Sequence, residues 1–234
     1  MKKSVKIIVE AVLAIAIVAL VYAIYSSIME PVKFNKERTR RENVAIQRLK
    51  DIRTLQVAYK SEYNKFTESM DSLKKFYLEG NMSITMQVGS ADDSLAWEHT
   101  EKVKKTLKVK TKSEQNAALA ALYEKGDKNL VFTTITKIPV KDTLFASRTD
   151  FNIDSLKYIP FSGGKETEMD AVIKQVSGVP VPLFEAKMPF KAFLNDVNRQ
   201  LRINLDAERR DQNKYEGLQV GSVTAPNNNA GNWE

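Results

Sequence analysis

The stretch from Ile7 to Met29, IIVEAVLAIAIVALVYAIYSSIM, constrains this chain more than any other. Glu10 is its one charged side chain, and from Ala11 to Tyr25 the two tyrosines are the only residues with a polar atom. At about 1.5 Å per helical residue the stretch is roughly 34 Å long, slightly more than the hydrocarbon core of a bilayer. The apolar core of a cleavable signal is shorter and ends in small residues, whereas this one runs on into Tyr25, Met29, Glu30 and Pro31, which reads as a retained anchor. Everything after it is expected to work tethered to a membrane. The side is not fixed by the flanks. Lys2, Lys3 and Lys6 precede the span and Lys33, Lys36, Arg38, Arg40 and Arg41 follow it, so a count of cations alone would leave the larger part in the cytoplasm.

The 234 residues supply one domain beyond the anchor, or one domain with an appended rod. There is no cysteine, which excludes disulfides, thiolate metal sites and a cysteine nucleophile. The net charge of +7 is spread among 29 acidic residues, the pattern of a solvated surface and not of a nucleic-acid interface.

After Pro31, which allows a bend or a helix start, a charged segment free of Gly and Pro predicts a helix from about Asn35 to Tyr63. Ala45, Leu49, Ile52, Gln56, Tyr59, Tyr63 and Phe66 recur by fours and threes, a seam with one polar insertion widened by Leu55 and Val57. Such a seam suits a helix lying on its own domain's sheet; an intermolecular coiled coil would want more heptads. The basic cluster Lys33, Lys36, Arg38, Arg40 and Arg41 reads as a counter-charge to lipid phosphates. Thr67 is placed to cap a short helix carrying Met70, Leu73, Phe76 and Tyr77 on its inner face, closed by Gly80 and Asn81.

Further on, residues 82 to 88 alternate as a strand, 91 to 126 read as an inserted helical pair, and 129 to 140 as a second strand. Within the pair, Trp97, Val103 and Leu107 are the apolar residues of the first helix, and Ala117 to Leu122 those of the second. A short strand is expected over 157 to 161, a turn at Ser162 to Lys165, and a strand over 166 to 176. Pro180 and Pro182 make 179 to 187 an edge strand, since proline donates nothing to a ladder. A helix over 189 to 210 and a last strand over 218 to 223 complete the chain. The fold class is thus α+β: a transmembrane helix continuing into an amphipathic helix on a mainly antiparallel sheet. The expected divisions are 1–6, an N-terminal segment; 7–29, the span; 30–80, the two helices; and 81–234, an α+β domain.

Three pieces taken together resemble the type IV pilin superfamily, and specifically the major pseudopilin of type II secretion. KIIVEAVLAIAIVALV, with Glu10, is similar to the pilin membrane helix with its lone glutamate. LKDIRTLQVAYKSEYNKFTESMDSL, with the turn Asn64, Lys65, Phe66 and Thr67, resembles the end of that family's long helix. GLQVGSVTAPNNNAGNWE resembles the pseudopilin C-terminal loop, here carrying Asn227, Asn228, Asn229 and Trp233. The matches cover the first 80 residues and about the last 20; the middle departs. No glycine precedes Gly80, so the prepilin cleavage site is missing, and the loop has no aspartate, so the family's calcium is not carried over.

The resemblance implies a single-pass inner-membrane structural subunit of an envelope secretion or surface-export assembly, with its C-terminal domain in the periplasm against the cation count. Its partners would be membrane lipid and protein, with no cofactor, nucleic acid or small-molecule substrate. The alternative is an anchored scaffold or receptor that does not polymerise. Glu10 fits either a contact between subunits in the membrane or a carboxylate at headgroup depth paired with Lys6. Trp233 is expected to pin the C-terminal loop to the core. The one histidine, His99, gives neither a metal site nor a triad, and the paired Asp92/Asp93 and Asp150/Asp154 read as turn and cap residues.

Overall fold

The computed structural model describes residues 3–90, 92–107, 109 and 111–234, with the side chains of residues 3–5 and 8 outside that description. The boundary expected at residues 1–6, and the start of the helical insertion at 91, therefore fall partly outside it. The chain is α+β, with a long N-terminal helix, two small antiparallel sheets and several shorter helices. It divides into two compact units. One comprises Met1–Val57, Lys65–Ser72 and Asn152–Glu234; the other comprises Ala58–Asn64 and Leu73–Phe151.

Helix α1 runs unbroken from Lys3 to Tyr63, about 90 Å at the standard rise. Pro31 lies inside it and neither bends it into two helices nor starts one. A proline inside a helix costs about 3 kcal/mol because its nitrogen cannot bond the carbonyl four residues back, here that of Ser27. From Val9 onward the helix is long and apolar enough to cross a membrane, with a mean hydropathy of 2.4 over an 18-residue window of which nothing is buried. Beyond the span one face turns inward: Phe34, Arg41, Ala45, Leu49, Ile52, Leu55 and Gln56 are buried. The seam ends earlier than its periodicity suggested. Val57 and Tyr63 are exposed, and Phe66, past the helix end, packs on Phe184 with ring centroids 4.7 Å apart.

In the first unit three strands, β3 (Glu168–Val176), β4 (Val179–Pro189) and β5 (Gly217–Gly221), form an antiparallel sheet in the order β3-β4-β5. The β3-β4 hairpin closes on Ser177 and Gly178, both at positive φ as a two-residue turn of matching twist requires. β4 is not the edge strand that its prolines implied: it is central over Glu185–Pro189, which pair with β5, and single-sided over the segment carrying Pro180 and Pro182. Their spacing of two turns both ring nitrogens away from β3, so they cost nothing on that side and leave no donor for β5 to extend along. β5 stops accordingly at Gly221, whose φ of +73° and close approach to the Phe184 carbonyl exclude a side chain.

Two other readings change. Residues 157 to 161 form only an isolated bridge, Tyr158 to Glu166, around the turn at Ser162 to Lys165. The expected helix over 189 to 210 is two, α7 (Phe190–Phe193) and α8 (Arg199–Asp211), the latter capped by Asn198. A four-residue helix, α6 (Ile153–Leu156), opens this part of the unit.

The second unit is built on helix α2 (Met70–Glu79) and a hairpin of β1 (Asn81–Val88) with β2 (Phe132–Pro139), in register from Asn81↔Pro139 to Val88↔Phe132. Ser69, not Thr67, caps α2 by accepting the Ser72 amide. Between the strands sit the inserted helices α3 (Ser94–Thr106) and α4 (Lys112–Glu124). On α3, Ala96 and Thr100 are buried and Val103 and Leu107 pack against the cluster around Leu119, while Trp97 is exposed. Thr100 Oγ1 accepts the Val131 amide at 2.8 Å and donates to the Ala96 carbonyl. Two apolar clusters result: Ala58, Phe76 and Val140 under the open end of the hairpin, and Leu119, Leu130 and Phe132 under the insertion. A one-turn helix, α5 (Val140–Thr143), follows β2.

Candidate functional site: the collar at the end of the apolar run and the free strand edges

Glu10 faces Lys6 one turn back at 3.8 Å, both well exposed, on the apolar span. Of the two readings of Glu10, the geometry displays the internal pair.

The basic cluster beyond the span divides by helical position. Arg41 is buried, although it is the most distant of the five from the span. Its guanidinium donates bidentately to Asp196, to the Phe193 carbonyl at 2.8 Å and to Glu37 at 2.7 Å. Arg40 also binds Glu37, and Arg38 binds Glu42 at 2.8 Å. These arginines therefore have protein partners, and of the three Arg40 is exposed. Lys33 and Lys36 remain exposed toward the end of the span. The hydrogen bonds from Arg40 and Arg41 hold the Glu37 carboxyl down to about 2, and that from Arg41 lowers Asp196. Two turns nearer the span than Glu37, Asn198 Nδ2 donates to Glu30 at 3.2 Å, so the start of α8 meets α1 just where its apolar run ends. Arg40 and Arg41 also face the ring of Phe161, at 4.8 and 5.0 Å. Together these groups form a collar fixing the rest of the first unit to α1.

The C-terminal loop is strapped to β5. Asn232 does most of it: its Nδ2 donates to the Gly217 carbonyl at 2.9 Å, its Oδ1 accepts the Gln219 amide at 3.1 Å, and its own amide donates to the Gln219 carbonyl. Asn227 makes an Asx turn onto the Asn229 amide, and Asn228 and Asn229 adopt positive φ, so these asparagines shape the loop. Trp233 is half-buried with its ring against Gly231, and its buried Nε1 has no hydrogen-bond partner. It serves as a lid on the loop's own backbone. Arg53 closes the strap from α1, binding Glu234 at 2.7 Å. Among the described residues no group of three or more His, Asp or Glu side chains is placed to hold a metal ion.

Two strand edges remain open in the first sheet. Beyond β5 the edge of β4 carries the two prolines. On the far side β3 has β4 as its one strand neighbour among the described residues. Sequence reasoning missed Asp196, Asn198 and Asn232. Asn198 had a signal, an Asx residue directly before a helix; Asp196 had none, since its partner is 155 residues away.

The chain gives no match to models of known families, to curated proteins or to solved structures.

Proposed function

We propose that this chain is a non-enzymatic, single-pass inner-membrane protein with its C-terminal part in the periplasm, a structural subunit of pilin or pseudopilin type in an envelope secretion or export assembly. The observation that carries the reading is the continuity of α1. Its first half contains an 18-residue apolar window, none of it buried, and its second half, without a break, supplies the buried row Ala45, Leu49 and Ile52 to a compact unit that also holds an antiparallel sheet. Such a helix transmits position from bilayer to domain without a hinge, and the collar at Arg41 and Asn198 stiffens the junction. Lys33 and Lys36 then meet lipid phosphates, each contributing about 1 kcal/mol near an anionic leaflet.

A second reading, an anchored scaffold that does not polymerise, is favoured by the Lys6–Glu10 pair, which satisfies the carboxylate within its own helix. Both place the domain outside the cytoplasm. Alkaline phosphatase fused after Glu234 is expected to be active, and β-galactosidase at the same point inactive; the reverse pattern would overturn both.

A further inference from the structure

We propose that β3 is a homotypic docking edge, on which the β3 of a second copy of this chain pairs antiparallel about Val172. The inference deepens the self-assembling subunit reading and moves the contact onto a strand that the sequence did not single out.

The phase of the ladder is fixed by three observations. Pro180 and Pro182 lie opposite Gln175 and Ile173, and since proline has no donor these are positions where neither residue bonds across the β3-β4 pair. The amides of Ile173 and Gln175 therefore point to the open edge. Ala171, of the same parity, agrees: its amide bonds the Asp170 carboxylate at 2.9 Å instead of a strand partner. The outward donors of β3 are thus on odd-numbered residues. Two identical edges with that phase meet antiparallel only with odd residues opposite odd ones.

Centring on Val172 then sets Ala171 against Ile173 as a hydrogen-bonded pair, Val172 against itself, and Asp170 against Lys174 twice. Asp170, Val172 and Lys174 share one side of the strand, so both ion pairs flank the valine contact on one face. Shifting the centre to Ala171 keeps the bonding phase and sets Glu168 against Lys174, but puts Asp170 opposite Val172 beside the centre, whereas centring on Val172 leaves its charged–apolar pair, Glu168 against Val176, at the ends of the ladder. Lys174 already donates to the Thr224 carbonyl at 2.6 Å, which leaves its ammonium two further donors. The other face brings Ile173, 63% exposed, against Ala171. Natural edge strands are guarded by proline or by charges that repel a partner. β4 carries the prolines on its open segment; β3 carries none, and its charges complement those of its own copy. The product is a continuous six-stranded sheet, β5-β4-β3 of one copy followed by β3-β4-β5 of the other.

The chain has no native cysteine, so single-cysteine variants of the full chain in detergent or vesicles report without background. Val172 facing itself as a non-hydrogen-bonded pair gives a Cα separation of about 4.5 Å, within the range of a disulfide. Val172→Cys is expected to form a covalent dimer under mild oxidation, whereas Ala171→Cys and Ile173→Cys give one only when mixed with each other. Asp170→Lys is expected to weaken the dimer about ten-fold, because it turns two attractive cross-strand pairs repulsive, and Asp170→Lys with Lys174→Asp to restore it. Melting temperatures of the monomers show that each variant folds. A dimer crosslinked by Ala171→Cys but not Val172→Cys, a monomer at all concentrations tested, or no rescue by the double swap would overturn the proposal. The double variant Lys6→Cys with Glu10→Cys, which carries the two thiols per chain that a ladder needs, keeps its failure separate from that of the subunit reading: a ladder above dimer through that variant without the Val172→Cys product retains the filament and removes this edge, and the Val172→Cys product without a ladder does the opposite.

Discussion

Gln56 shows how one side chain settles a local geometry. It is the polar insertion in an otherwise apolar seam, and it is fully buried. Its amide clasps one residue of the following loop, donating to the Thr67 carbonyl at 2.5 Å and accepting the Thr67 amide at 3.1 Å, as a neighbouring strand would. That bond turns the chain back after α1 and seats Phe66 on Phe184. Gln56→Leu fits the seam in size but strands both Thr67 groups, and is expected to cost about 2 kcal/mol, read as a lower urea midpoint with faster exchange of the 65–69 amides. A fall in stability without a change in those amides would mean that the clasp is not what Gln56 supplies. The periodicity of the sequence located Gln56 but not its purpose, because its partner lies eleven residues on in a loop with no repeat. For the same reason Arg41 could not be told from Arg38 and Arg40: what separates them is the helix face that meets Asp196, far along the chain.

At the level of elements, the sequence revealed what rests on local period and turn chemistry. α1, the β1 and β2 strands, the inserted helical pair and the Ser162 to Lys165 turn were all legible. Pairing was not, since one strand's neighbours are chosen by the rest of the sheet. The prolines of β4 correctly marked an open edge but misled about the strand's other end, which β5 covers. The insertion between β1 and β2 carries its own apolar cluster around Leu119, distinct from the cluster at Ala58, Phe76 and Val140 that the hairpin's other end shares with α2. Replacing residues 89–131 by Asn-Gly, a turn suited to a two-residue hairpin, is therefore expected to leave the amide protection of β3, β4 and β5 unchanged. Loss of protection throughout the chain would show that the insertion supports more than its own strands.

For the whole molecule, the distribution of ion pairs sets the response to acid. Glu37, Asp196, Glu216 and Glu234 all belong to the first unit, and each is held below the usual carboxylate range by a hydrogen bond from arginine: Arg40 then Arg41, Arg41, Arg210 and Arg53 respectively. A carboxyl lowered in the folded state favours folding above its unfolded value, and that contribution is lost as pH falls through the folded one. Asp206, raised mainly by burial, acts in the opposite sense. The first unit is expected to hold its melting temperature from pH 7 to about 5 and to lose it steeply from there toward pH 2. Arg41→Met should begin lower and fall less. An equal slope in the variant would remove the collar from the account.

The hairpin of β1 with β2 fixes an order of events during synthesis. β1 is complete at Val88, yet its partner at Phe132 is not made until the whole insertion has been translated. Meanwhile the contacts within α3 and α4 are local and form on a submicrosecond timescale, whereas pairing across so long a connection must first meet its closure entropy. Helical collapse around Leu119 brings Leu130 close and shortens the search that β2 must make for β1. Pulsed hydrogen exchange during refolding is expected to find the amides of 112–124 protected before those of 82–88; the opposite order would mean that the strands find each other unaided. Until that closure the nascent chain carries an unpaired strand, and the interval during which it is vulnerable to aggregation is set by the length of the insertion.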